Sequence, residues 1–384
     1  MSPAPALPLM RRLAPWLGLL VLAGYAIHLG VAAWNREWLI GPDGYPVPSD
    51  FLSWWSAGRL ALEGRAAEAY DWALHKQAQL PAIGRDFERF FAWHNPPPYF
   101  LLVSPFALPP YPVGWILWIL LTAAGFALAL RLVLPGWLIP VMLAAPASLW
   151  CTLVGQNGFL TAALMTASLA WLDRRPWLAG FCLGVLTCKP QFGVLFPIFL
   201  AVERRWSVFA AAAATMLGLA AASTGLLGAG IWGAFLGSAS VTGGGLLGGG
   251  AAWVKLQSVY SIGFQLTGRV NAAIALHAAF ALLLGLLLLR QWRGPAPAAC
   301  KAAALIAASY LVTPYAYLYD GVVLTAAAAF LIRDGLDRGF SRVETLLAAL
   351  ALLLPGIALG LGSLAPPAGC LILLGVALAR SSRR

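Results

Sequence analysis

The sequence predicts an all-α protein that crosses a membrane many times. Of its 384 residues, 61% are hydrophobic and only 10% are charged, a composition far from that of soluble globular proteins. Apolar runs such as residues 13–34 and 272–289 are long enough to cross a hydrocarbon core as helices, which takes roughly 20 residues. We expect one integral membrane domain over residues 1–384, with about 10 to 12 transmembrane or re-entrant helices.

Basic residues occur in short clusters between the apolar runs, for example Arg174 with Arg175 and Arg204 with Arg205. Cytoplasmic loops of membrane proteins carry an excess of lysine and arginine. The clusters therefore predict a multi-pass protein with both termini in the cytoplasm. They also account for the net charge of +11, so this charge does not indicate a nucleic-acid partner.

Most of the carboxylates lie in residues 35–95, which we interpret as a first extracytoplasmic loop. The window DFLSWWSAGRLALEG (residues 50–64) has apolar residues at helical spacing, which predicts an amphipathic helix on the membrane surface with its aromatic face down. Ser49 or Asp50 is expected to cap this helix, and Gly64 to end it. A second short helix is expected at about residues 72–80.

A second extracytoplasmic loop is predicted at residues 228–265, because the stretch 238–264 is rich in glycine and is expected to be flexible there. Cysteines and acidic residues do not occur at the spacing of metal ligands. We therefore expect neither a metal ion nor another cofactor.

The stretch GVLTCKPQFGVL (residues 184–195) places Lys189 and a proline inside an apolar run. A charge inside a membrane segment indicates function by default. The preceding and following basic clusters both favour the cytoplasm, so two short helices that meet at Lys189 are one interpretation. A single long kinked helix is the alternative. The hairpin would put Lys189 near the external face.

The same charge rule places the segments GQN and TPYAYLYD on the external side. Polar groups of four segments can then converge on one external cavity. The predicted members are Asp50, Gln156, Asn157, Lys189, Gln191, Tyr315, Tyr317, Tyr319 and Asp320.

Such a set of side chains suits chemistry on a lipid-linked phosphate. A lysine can neutralise the phosphate and stabilise the leaving group, while a carboxylate takes a proton from an incoming hydroxyl. Amides and tyrosines can hydrogen-bond a substrate rich in hydroxyl groups. Spacing alone does not establish this reaction.

The order of the motifs resembles that of GT-C membrane glycosyltransferases, and in detail glycosyltransferase family 87, the bacterial polyprenol-phosphate-mannose-dependent mannosyltransferase-like proteins. The matching stretches, in order along the chain, are SDFLSWWSAGRLALEG, AYD, NPPPYFLLVSPFALPP, GQNGFLTAALM, DRRPWLAGFCLGVLTCKPQFGVLFPIFL and TPYAYLYD. The resemblance implies the GT-C fold and the bacterial plasma membrane. It also implies inverting transfer of a sugar from a polyprenyl-phosphate donor to a lipid or glycan acceptor, with the active site outside the cytoplasm.

By this resemblance, Asp50 is the catalytic base and Lys189 contacts the donor phosphate. We predict that the remaining substrate contacts come from His94, Asp71, Gln156, Asn157, Gln191, Tyr315, Tyr319 and Asp320. Some actinobacterial members have a histidine near the last motif, where this chain has TPYAYLYD. Neither the acceptor nor mannose as the sugar therefore follows from the resemblance.

Each assignment has a structural alternative. Asp50 could cap a helix, Lys189 could reach towards lipid headgroups, and the amides of GQN could satisfy the backbone of a turn. Structural pairing is also open for Asp71 and Asp320, and His94 could simply lie at the membrane interface. For the whole protein, a multi-span transporter or flippase is the alternative function, although no internal repeat is evident.

Overall fold

The computed structural model describes residues 6–247 and 256–382, and within them the fold is helical. In this part of the chain no strand forms, and β-pairing is limited to an isolated bridge between Ile40 and Pro46. The predicted all-α class is confirmed.

Five helices are long and apolar enough to cross a membrane on their own. They are α1 (Ala6–Trp34), α5 (Tyr111–Arg131), α12 (Trp206–Leu227), α15 (Val270–Arg293) and α20 (Ala365–Ser381), the last together with the 3-10 turn Gly362–Leu364 that leads into it. Helices α6 (Ile139–Leu143) and α7 (Pro146–Val154) form a sixth apolar unit, which is bent by 59° between them. Many leucines on these helices are exposed, as expected for surfaces that face lipid.

Shorter helices complete the fold. Along the chain they are α2 (Asp50–Leu62), α3 (Trp72–Ile83), α4 (Pro98–Val103), α8 (Gly158–Ala170), α9 (Pro176–Leu186), α10 (Pro190–Gly193), α11 (Leu195–Val202), α13 (Gly230–Leu247), α14 (Val259–Thr267), α16 (Ala298–Leu311), α17 (Val322–Arg338), α18 (Arg342–Leu353) and α19 (Ala358–Leu361). Helices α16, α17 and α20 pack closely in the core, where buried alanines let their backbones approach.

The first loop contains both predicted helices, α2 and α3, and Gly64 follows α2 with a φ of 75°. The expected contact of its aromatic face with the membrane is corrected by the structure. Phe51 and Trp54 are buried against Trp118, and Trp54 also packs edge-on against Tyr99. The protein itself supplies aromatic partners, so this face is covered by protein and not by lipid.

The predicted second loop, residues 228–265, is largely helical where it is described. It contains α13 and α14, while residues 248–255 lie outside the described residues. Glycine lowers helix propensity but does not prevent a helix. The side of the membrane on which this segment lies stays a prediction.

Five ion pairs lie together at one end of the molecule, which we call the charged end. It is defined by the pairs Asp173–Arg205, Glu203–Lys301, Asp334–Arg338, Asp334–Arg380 and Glu344–Arg380. The Arg338 guanidinium also lies 3.7 Å from the sulfur of Cys300, which joins the last three pairs to the region of Lys301.

The ion pair between Asp173 and Arg205 decides how residues 176–202 run. Asp173 precedes α9 and Arg205 follows α11, so the two ends of this segment meet at the charged end. A single long helix over residues 176–202 would hold its two ends about 40 Å apart, at about 1.5 Å per residue. The predicted hairpin is confirmed, and its tip is Lys189.

Candidate functional site

The tip of this hairpin brings a lysine and an aspartate together in the protein interior. Helix α9 ends at Leu186, and Pro190 begins α10 because proline fits the first turn of a helix. Lys189 lies between them, only 9% exposed, and its Nζ forms an ion pair with Oδ1 of Asp320, which is fully buried. Sequence analysis placed both residues in the site but did not foresee that they would pair.

Asp320 is held by the segment that precedes α17. Its Oδ2 accepts a hydrogen bond of 3.0 Å from the backbone N–H of Tyr317, which closes a short 3-10 turn. Burial raises the pKa of Asp320, and the neighbouring ammonium group of Lys189 opposes this rise. The carboxylate therefore has structural partners on both oxygens.

Asn157 extends the pair towards the first loop. Its Oδ1 accepts a hydrogen bond of 2.6 Å from Lys189 Nζ, and its Nδ2 donates one of 3.0 Å to the hydroxyl of Tyr99. Both Asn157 and Tyr99 are buried. The amide thus links the lysine to the segment that leads out of the first loop.

Gln156 reaches the predicted base from the same turn. Its Nε2 donates a hydrogen bond of 3.1 Å to Oδ2 of Asp50, which is the first residue of α2. The expected side-chain cap by Ser49 is corrected, because the Ser49 hydroxyl hydrogen-bonds the hydroxyl of Tyr111 at 2.9 Å. Gln156 and Asn157 therefore connect Asp50 and Lys189 through one turn of backbone.

Helix α2, which presents Asp50, is supported from within the first loop. His75 of α3 is fully buried, and its Nε2 lies 3.1 Å from the backbone oxygen of Ser53. Burial lowers the pKa of His75 to about 4, so the imidazole is neutral near pH 7.

Aromatic rings border the lysine. The rings of Phe192 and Tyr319 lie 5.1 and 5.4 Å from Lys189 Nζ, within the range of cation–π attraction. Tyr319 and Tyr317 stack with ring centres 5.3 Å apart. A narrow pocket next to Lys189 lies between α8 and α9, and its accessible volume of about 10 Å³ is enough for roughly one water molecule.

The structure gives the other predicted residues different surroundings. Asp71 is exposed and caps α3, because its Oδ1 accepts from the backbone N–H groups of Ala73 and Leu74. Tyr315 packs against the cluster around Tyr260 instead of the lysine. Substrate contacts by these two residues stay predictions.

Two more predicted residues, Gln191 and His94, are near residues of the site along the chain. Gln191 follows the lysine on α10, is partly buried, and makes no side-chain hydrogen bond within the described part of the chain. His94 is exposed and precedes α4, the helix that carries Tyr99. Roles in substrate binding stay predictions for both.

Sequence analysis missed Tyr99 as a member of the site. The residue stands in an apolar stretch after three prolines, where an aromatic side chain is ordinary. The one signal for its role in the site was its position in NPPPYF, which belongs to a stretch that resembles the family. The bond to Asn157 joins residues 58 apart, which no local pattern can predict.

A model of glycosyltransferase family 87 matches residues 93–314, which is more than half of the chain. The matched region contains Tyr99, Asn157 and Lys189, while Asp50 and Asp320 lie outside it and are joined to it by the hydrogen bonds described above. No curated protein and no solved structure matches the chain.

Proposed function

The chain belongs to glycosyltransferase family 87, and from this premise we propose that it transfers a sugar from a polyprenyl-phosphate donor to a hydroxyl group of a lipid or glycan acceptor. Mannose is the proposed sugar. The observation that supports the proposal is the connected set of polar side chains from Asp50 through Gln156 and Asn157 to Lys189. It offers a carboxylate and an ammonium group at one end of the helix bundle.

In the proposed reaction, Asp50 takes the proton of the acceptor hydroxyl. The acceptor oxygen forms a bond to the anomeric carbon of the sugar, and the bond from this carbon to the phosphate oxygen breaks. The leaving polyprenyl phosphate keeps the electron pair, and Lys189 stabilises its developing charge. Attack on the face opposite the phosphate inverts the anomeric configuration.

We propose that the site faces outward from the plasma membrane of a bacterium. The charged end carries Arg205, Lys301, Arg338 and Arg380, and excess positive charge favours the cytoplasmic side. The lysine at the hairpin tip belongs to the other end. The pocket beside it holds only about one water molecule, so we expect donor binding to move the surrounding side chains apart.

The test uses purified protein in lipid nanodiscs with a synthetic polyprenyl-phosphate-mannose. Donor consumption, either by hydrolysis or by transfer of the sugar to an added hydroxyl acceptor, is followed by mass spectrometry. The wild type should consume the donor, and Asp50→Asn should stop consumption because the amide cannot act as the base. Lys189→Ala should weaken use of the donor more than use of the acceptor.

Two results would count against the proposal. Consumption by Asp50→Asn at the wild-type rate would remove Asp50 from the role of base. Movement of unchanged donor between leaflets would instead favour a transporter or flippase. Arg333→Ala is the control, because this exposed residue pairs with Asp337 at the charged end and should leave consumption unchanged.

A further inference from the structure

The turn of Gly155, Gln156 and Asn157 touches both halves of the proposed reaction centre. We propose that this turn fixes the base relative to the phosphate-binding amine, with Gln156 positioning Asp50, and with Tyr99 positioning Lys189 through Asn157. The inference rests on the proposed function. Gln156 and Asn157 then position other residues, whereas the sequence predicted that they contact the substrate directly. Tyr99 becomes a third positioning residue of the site.

Gln156 is itself held firmly enough to orient another group. Its backbone oxygen accepts a hydrogen bond of 3.3 Å from the indole of Trp118 and another of 3.2 Å from the thiol of Cys151. Its side chain then donates to Oδ2 of Asp50. A donor on this oxygen restricts rotation of the carboxylate and so fixes the orientation of the proposed base.

Asn157 orients the lysine in a comparable way. An amide side chain can present either its oxygen or its nitrogen to a neighbour, and only the oxygen can accept from an ammonium group. The Tyr99 hydroxyl accepts from the nitrogen, which leaves the oxygen towards Lys189. Tyr99 is itself packed between Trp54 and Trp93, with ring centres 5.6 and 5.7 Å away.

The turn has little freedom to move. Gly155 has a φ of 71°, and a Cβ at this position would lie 2.5 Å from the indole nitrogen of Trp115 and 2.7 Å from Phe51. At the start of α8, a Cβ on Gly158 would overlap the backbone oxygen of Tyr319, next to Asp320. Close backbone packing on both sides therefore holds the turn at a fixed distance from α2 and from the segment that carries Asp320.

Substitutions on the Asp50 side and on the Lys189 side of the turn should affect different quantities, the rate of donor consumption and the Kd for polyprenyl phosphate respectively. Gln156→Ala should lower the rate of donor consumption by about 10- to 100-fold, while the Kd for polyprenyl phosphate changes by less than about threefold. Tyr99→Phe should weaken the binding of polyprenyl phosphate about tenfold.

The experiment measures both quantities on full-length protein in nanodiscs. Binding is measured with polyprenyl phosphate that carries no sugar, and turnover with polyprenyl-phosphate-mannose. Tyr25→Phe and Gln291→Ala are matched controls. Tyr25 donates one hydrogen bond to the backbone oxygen of Ala144, and Gln291 bonds Cys300 and Ser381 near the charged end. Neither control should change binding or turnover.

The split between the two variants decides the inference. It is overturned if an active wild type loses binding and turnover in the same proportion in both variants, or if both variants behave like the controls. A wild type that neither binds polyprenyl phosphate nor consumes the donor would instead refute the proposed function, and the inference with it.

Discussion

The buried pair of Lys189 and Asp320 allows a test that does not depend on any substrate. Replacing Asp320 by leucine leaves the Lys189 ammonium in the interior with Asn157 as its neutral hydrogen-bond partner. Removing one partner of a buried ion pair costs about 3–5 kcal/mol, whereas replacing both partners by apolar residues is often close to neutral. The variant Asp320→Leu should therefore be much less stable than the wild type.

The double variant Lys189→Met/Asp320→Leu should recover most of that loss. It still lacks the acceptor for the backbone N–H of Tyr317, and the loss of such a cap costs about 1 kcal/mol. Adding Lys189→Met to Asp320→Leu should thus recover about 2–4 kcal/mol, whereas Lys189→Met alone should cost about 3–5 kcal/mol because it leaves the buried Asp320 carboxylate without its counter-charge. The expected coupling between the two residues is the sum of these two values, about 5–9 kcal/mol.

The assay is denaturant-induced unfolding in detergent micelles, followed by tryptophan fluorescence and analysed as a double-mutant cycle. Arg333 and Asp337 form the control pair, with side chains 51% and 53% exposed, and their coupling should be at most about 0.5 kcal/mol. A coupling between Lys189 and Asp320 no larger than that of the control would refute the buried pair.

Three further changes test other parts of the fold by the same unfolding assay. His75 must stay neutral when buried, since its pKa falls from 6.5 to about 4 on folding. Stability should therefore fall as the pH drops below 6.5, by about 3 kcal/mol at pH 4, and an equal loss in His75→Gln would contradict this. Gly155→Ala should cost more than Gly64→Ala, since both have positive φ but a Cβ clashes at Gly155 alone, and equal costs would exclude the clash. Arg380→Met should cost about 3–5 kcal/mol because it removes the ion-pair partner of the buried Glu344 and leaves Asp334 with Arg338 alone, and a cost below about 1 kcal/mol would show that these pairs are dispensable.

Local patterns were sufficient to predict much of the architecture. The helical spacing of apolar residues in 50–64 predicted α2, and Gly64 marked its end correctly because glycine adopts a positive φ without strain. The basic clusters predicted the hairpin, since both ends of the segment favour the same side of the membrane. These inferences use properties of neighbouring residues and average solvent preferences.

Such local patterns do not predict which side chains contact one another in the folded protein. Phe51 and Trp54 have the spacing of an amphipathic surface helix, and nothing local distinguishes burial against lipid from burial against Trp118. The bond between Lys189 and Asp320 spans 131 residues. From the sequence, both residues were placed at the external end, but the lysine was assigned to the donor phosphate or to lipid headgroups and not to Asp320. The fold that brings a counter-charge to the lysine is a property of the whole chain.

The hairpin explains why a lysine and a proline stand in the middle of an apolar run. In one continuous helix, Lys189 would project from the middle of a membrane span, where an unpaired charge is costly. At the tip between α9 and α10, the backbone turns, and Pro190 fits because it begins a new helix. The tip meets two other chain reversals, the turn before α8 and the segment before α17, which supply Asn157 and Asp320. The polar groups lie at the ends of short helices and not within continuous spans. Because these helix ends meet, side chains from distant parts of an apolar chain come into contact.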